Sequence, residues 1–108
     1  MSFESRLTRA PIPFDQVLGS EAAEAVVGVS PALRALLLGA GGCSSYLNGL
    51  IKREADWLEG ALDDPETAIA GIFSVLPDSD AKALPSALRQ AKRRVALITG
   101  LADLGGVW

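Results

Sequence analysis

Histidine is absent from this chain, and cysteine and methionine occur once each. Without histidine there is no Ser-His or Cys-His nucleophile pair, no imidazole acid–base catalyst and no use of the commonest zinc ligand. Cys43 alone can close no disulfide within the chain, which fits a reducing compartment. Aromatic residues are scarce, at 6%. No apolar run reaches the roughly 18 residues that cross a membrane. The first residues, Met1 to Phe14, hold no basic stretch leading into an apolar segment, so no secretory leader is read there. These absences lead to an expectation of a cytoplasmic protein with no membrane partner. β-branched residues are thinly spread.

What is present favours helix. Alanine and leucine dominate, and apolar residues make up 49% of 108 residues, enough for one modest core. The net charge of −3 is unevenly placed. Residues 1–80 carry twelve acids and five bases, whereas residues 81–108 carry one acid and five bases. The basic end can attract the acidic body or an anionic partner.

Start and stop signals divide the chain. Pro11 and Pro13 flank Ile12, and residues 1–19 read as an extended arm. Ser20 with Glu21 and Glu24 reads as a cap and an acidic first turn. The helix it opens runs to about Val27 and stops at Gly28. Ser30-Pro31 opens the next helix, which carries Leu33, Leu36 and Leu37 and is expected to end at Gly39, Gly41 and Gly42. Ser44 or Ser45 caps a third helix with Leu47, Leu50 and Ile51, and a jog near Ala55 leads into Trp57, Leu58, Ala61 and Leu62. Asp63-Asp64-Pro65-Glu66 starts a helix presenting Ile69, Ile72, Phe73 and Leu76, broken at Pro77 to Asp80.

The last helix, Pro85 to Leu104, is the longest. Leu84, Leu88, Ala91, Val95, Ile98 and Ala102 form a stripe expected to be buried, flanked by Arg89, Lys92 and Arg93, with Arg94 further round. Leu97, Leu101 and Leu104 lie opposite, so this end requires burial on two sides. With Trp108 they form an apolar face expected to meet a partner. The fold class is all-α: a small bundle of five or six helices, read as part of a larger fold.

One stretch imitates an active site. Eleven residues separate Gly41-Gly42 from Glu54-Ala55-Asp56, a spacing at which nucleotide-transferring enzymes place a phosphate-binding turn and two metal-binding carboxylates. Those carboxylates need a strand, where residues i and i+2 share a face. On a helix Glu54 and Asp56 stand about 200° apart and cannot share an ion. The glycines lack the third member of a dinucleotide fingerprint. The stretch reads as a helix junction, Cys43 as a small link residue, and Tyr46 and Trp57 as core.

Two segments carry a resemblance. S-S-Y-L-N-G-L-I-K-R-E-A-D-W-L at 44–58 and L-R-Q-A-K-R-R-V-A-L-I-T-G-L-A-D-L-G-G-V-W at 88–108 resemble the N-terminal helical region of the glutamate–ammonia-ligase adenylyltransferase family. Tyr46, Leu47, Leu50, Ile51, Arg53, Trp57 and Leu58 match in the first segment. Leu88, Arg89, Arg93, Arg94, Val95, Ala102, Asp103 and Leu104 match in the second, with Lys92 in place of an arginine. Ser45 stands where the family usually has proline.

The resemblance implies that residues 20–108 are a helical segment preceding a nucleotidyltransferase domain that is missing here. The parent would use ATP and Mg2+ to transfer AMP to glutamine synthetase and would remove it by phosphorolysis, under a PII signalling protein. It places no catalytic, cofactor or metal residue in this chain, whose expected role is to position the adenylyl-removing domain. The basic residues Arg89, Lys92, Arg93 and Arg94 are a candidate docking surface, facing residues 54–66, the rest of the polypeptide or a phosphate. No nucleic-acid partner is expected, because four bases on one helix lack interleaved aromatics. The alternative reading is a free-standing helical interaction module without enzymatic activity. The face of Leu97, Leu101 and Leu104 discriminates the two: in a fragment it is expected to be exposed or self-associated, whereas in a module it binds another protein.

Overall fold

The structure, a computed structural model, describes residues 2–75 and 84–107. Among these residues the chain forms seven helices and no strand: α1 Phe3–Arg6, α2 Gln16–Ala25, α3 Pro31–Cys43, α4 Ser45–Arg53, α5 Ala55–Ala61, α6 Pro65–Val75 and α7 Leu84–Gly105. This is the all-α bundle expected, with the longest helix last.

Local chemistry sets several boundaries as read from sequence. The Ser30 hydroxyl accepts from the Leu33 amide at 3.3 Å with Pro31 in the first turn, and the Ser44 hydroxyl accepts from the Leu47 amide at 3.1 Å. Asp64 caps α6 by accepting from the Thr67 amide and hydroxyl, at 3.3 and 2.7 Å. The jog falls at Glu54, whose φ of −107° and ψ of 20° separate α4 from α5. The break expected at Pro77 to Asp80 lies outside the described residues.

Two boundaries differ from the sequence reading. Helix α2 begins at Gln16, because Asp15 rather than Ser20 caps it, accepting from the amides of Val17 and Leu18 at 3.0 and 3.1 Å. The stretch 1–19 is therefore not an extended arm throughout. Residues 3–6 are helical, and Phe3 is fully buried in the core, its amide donating to the Leu62 carbonyl at 3.0 Å.

The larger difference lies at the glycines. Helix α3 runs straight through Gly39, Gly41 and Gly42 to Cys43. Local propensity disfavours glycine within a helix by about 1 kcal/mol, but here the missing side chains admit neighbouring backbone. A Cβ on Gly41 would lie 2.5 Å from the Ala22 Cβ, and one on Gly42 would lie 2.6 Å from the Asp15 carbonyl oxygen. A Cβ on Gly39 would collide with the Pro11 carbonyl. Helix α2 and the proline segment 11–13 thus lie directly on the α3 backbone.

The core joins Phe3, Leu36, Leu37, Ile51, Leu58 and Leu62 to the C-terminal half of α7. That half packs on α3 and α4, while α6 lies along α7. The N-terminal segment then clasps the end of α7. The Thr8 amide donates to the Gly105 carbonyl at 2.9 Å, and the Arg9 guanidinium donates to the Asp103 and Leu104 carbonyls at 2.7 and 3.1 Å. These bonds satisfy carbonyls that a helix terminus leaves without partners. Gly106 turns the chain beyond them with φ of +65°, a conformation suited to glycine.

Candidate functional site

Glu54, at the α4–α5 junction, is the most buried charged side chain described, 5% exposed. Its Oε1 accepts from Arg94 Nε at 2.6 Å. Its Oε2 lies 3.6 Å from Arg93 Nε, close enough for an ion pair but not for a hydrogen bond. The Arg94 guanidinium also stands 4.9 Å from the centroid of the Trp57 ring. A carboxylate removed from water is costly unless paired, and two arginines one residue apart on α7 supply the pairing.

The imitation site is therefore taken apart by the fold. Gly41 and Gly42 are buried inside α3, facing α2 and the proline segment. Glu54 faces α7, and Asp56 is exposed. Among the described residues no three His, Cys, Asp or Glu side chains group to hold a metal ion. Cys43 is exposed at the end of α3, its thiol 2.9 Å from the Ile12 carbonyl.

The structure divides the candidate docking residues. Arg93 and Arg94 turn inward to Glu54. Arg89 and Lys92 remain exposed, and Arg89 donates to the Ser86 hydroxyl at 3.4 Å. The expected apolar partner face is corrected. Leu97 and Leu101 are completely buried and Leu104 packs against the same core, because α3 and α4 of this chain cover that side of α7. Trp108 lies outside the described residues. The stripe expected to be buried is covered in part: Ala91, Ile98 and Ala102 are buried, whereas Leu88 is 42% exposed. Tyr46, expected in the core, is 64% exposed, and Trp57 is partly buried.

Apolar surface is left open between α6 and α7, as it also is at Ile12, Phe14 and Val17. Phe73, 55% exposed, faces Leu88, Val95, Ala96 and Thr99 across a groove of about 480 Å3, with Lys92 on its rim. Sequence reasoning placed Phe73 and Leu88 on core stripes; the sequence signal available was the run of bases beside that part of α7. It also passed over Asn48, a buried amide donating to the Leu18 and Gly41 carbonyls at 2.7 and 3.2 Å. Asn48 ties α4 to both α2 and α3, and its signal is a lone amide between Leu47 and Ile51.

Fold and site together define an all-helical segment with a buried Glu–Arg–Arg junction, a buried Asn48 amide and an apolar groove bordered by Lys92. Comparison with known proteins gives that class a particular kinship. The chain is 32% identical, over 93% of its length, to the bifunctional glutamine synthetase adenylyltransferase/adenylyl-removing enzyme of Bradyrhizobium sp. (strain BTAi1). It is 35% identical, over 74% of its length, to the enzyme of the same name from Bradyrhizobium diazoefficiens. The family resemblance read from residues 44–58 and 88–108 is thus shown across most of the chain. The chain spans about a tenth of these relatives, 12% and 9% of their lengths. No family model matches the chain, and no solved structure matches it.

Proposed function

We propose that this chain is a non-catalytic helical segment of an enzyme that adenylylates and deadenylylates glutamine synthetase, and that it packs on and positions the adenylyl-removing domain. ATP and Mg2+ would act in the catalytic domains of that enzyme. A PII signalling protein would act on the whole enzyme. Identity to named relatives over most of the chain supports the parentage. The observation that carries the non-catalytic role is Glu54. Two arginines pair with this carboxylate, the one that is buried among the described residues, so it is withdrawn from metal or nucleotide chemistry.

The test compares AMP transfer from labelled Mg-ATP to glutamine synthetase by this chain alone and by the full polypeptide of its gene. Transfer is expected only from the full polypeptide. Magnesium-dependent ATP binding by the chain alone, lost in the double variant Glu54→Ala with Asp56→Ala, would contradict the reading.

A further inference from the structure

We propose that the α6/α7 groove seats an acidic amphipathic helix contributed by the polypeptide outside these 108 residues; this rests on the parentage proposed above. Leu88, Lys92, Val95 and Thr99 recur at i, i+4, i+7 and i+11, a single face of α7, and Phe73 of α6 forms the facing wall. An apolar groove between two helices is the shape that receives the apolar stripe of a third. The exposed Phe73 and Leu88 would supply the buried contact.

Charge selects the occupant. Among the described residues the carboxylates in ion pairs are Glu21, Glu54 and Glu66, taken by Lys52, by Arg93 with Arg94, and by Arg6. Arg89 and Lys92 pair with none of them; Lys92 borders the groove, and Arg89 stands one helical turn before it on α7. A second copy of this chain laid along α7 about a twofold axis would set these bases against their own counterparts, which repel. An incoming helix with carboxylates flanking its apolar stripe would meet them with the opposite charge.

Two synthetic helical peptides with one leucine heptad pattern, flanked by glutamates in one and lysines in the other, are the probes. The acidic peptide is expected to bind the chain about tenfold tighter or better, with the preference weakening in salt. Leu88→Glu should abolish this binding and Lys92→Glu should reverse the preference, while helical circular dichroism stays unchanged because both side chains are exposed. In the full polypeptide, a photo-crosslinking residue in place of Leu88 should join a segment beyond these 108 residues within the same molecule.

Equal affinity for the two peptides, or no binding of either at about millimolar concentration, would overturn the proposal. So would a dimer in ultracentrifugation that Leu88→Glu dissociates, or crosslinks joining two copies. The peptide titration does not depend on AMP transfer. A full polypeptide that fails to modify glutamine synthetase would sink the parentage and leave the titration standing, whereas an absent peptide preference would sink only the groove.

Discussion

Glycines of this chain carry opposite instructions according to what lies beside them. In α3 an added methyl group at Gly41 would press on Ala22, and at Gly39 on the Pro11 carbonyl, neither of which can swing aside. Gly49 in α4 and Gly60 in α5 face open space. Gly39→Ala or Gly41→Ala should therefore cost about 2 kcal/mol or more through overpacking, in spite of alanine's better propensity. Gly49→Ala and Gly60→Ala should instead stabilise by about 0.5–1 kcal/mol. Urea unfolding of the four variants reads both signs in one experiment, and a gain at Gly41 would mean that α2 does not lie on α3 as described. Glu54 permits a similar contrast. Glu54→Ala leaves Arg93 and Arg94 half-buried beside each other without a carboxylate and should cost about 2 kcal/mol. Asp56→Ala, on the exposed side of α5, should stay within about 0.5 kcal/mol of the parent protein. Equal costs would remove the distinction on which the non-catalytic reading of this pair rests.

At the scale of elements, legibility follows the range of the interaction. The starts of α3, α4 and α6 were readable because Ser30, Ser44 and Asp64 each bond an amide three residues away. The end of α3 was misread because three glycines locally say stop, while the contacts that reward them come from residues 11, 15 and 22. Helix α1 was missed for the same reason, since four residues cannot hold a helix alone. Its support is distant. Phe3 is buried beneath Leu62, and Arg6 pairs with Glu66, the second contact lying 2.7 Å apart. Phe3→Ala should cost about 3–4 kcal/mol, measured by thermal or urea unfolding.

The Arg6–Glu66 contact has a pH signature. The Arg6 guanidinium holds the Glu66 carboxyl below its ordinary range, and the Thr67 hydroxyl does the same for Asp64. Carboxyls that titrate lower when folded contribute fully above their unfolded values, near about 4, and lose that contribution as pH falls through the lowered ones. Arg6, shifted upward by Glu66, stays charged throughout. Unfolding midpoints should fall as the solution is acidified below about pH 4. The fall should be shallower in Glu66→Gln, and an unchanged slope in that variant would remove Glu66 from the acid response.

For the molecule as a whole, charge asymmetry was legible but its destination only partly so. The bases of α7 divide into a pair turned inward to Glu54 and a pair left exposed, of which Lys92 borders the groove, a division that depends on how α7 rotates against α4 and α5. That rotation also buries Leu97 and Leu101 while exposing Leu88. Sequence periodicity shows that α7 has two apolar sides without showing which neighbour covers each. The parentage, by contrast, was legible in the helix-packing residues of α4, α5 and α7, among them Leu50, Ile51, Leu58 and Ala102, all of which lie in the core. The reading frame that follows the Trp108 codon tests that parentage most directly. A frame that continues and encodes a Gly-Ser turn with a D-x-D strand is the expected result; a stop codon there would contradict it and leave a free-standing helical module.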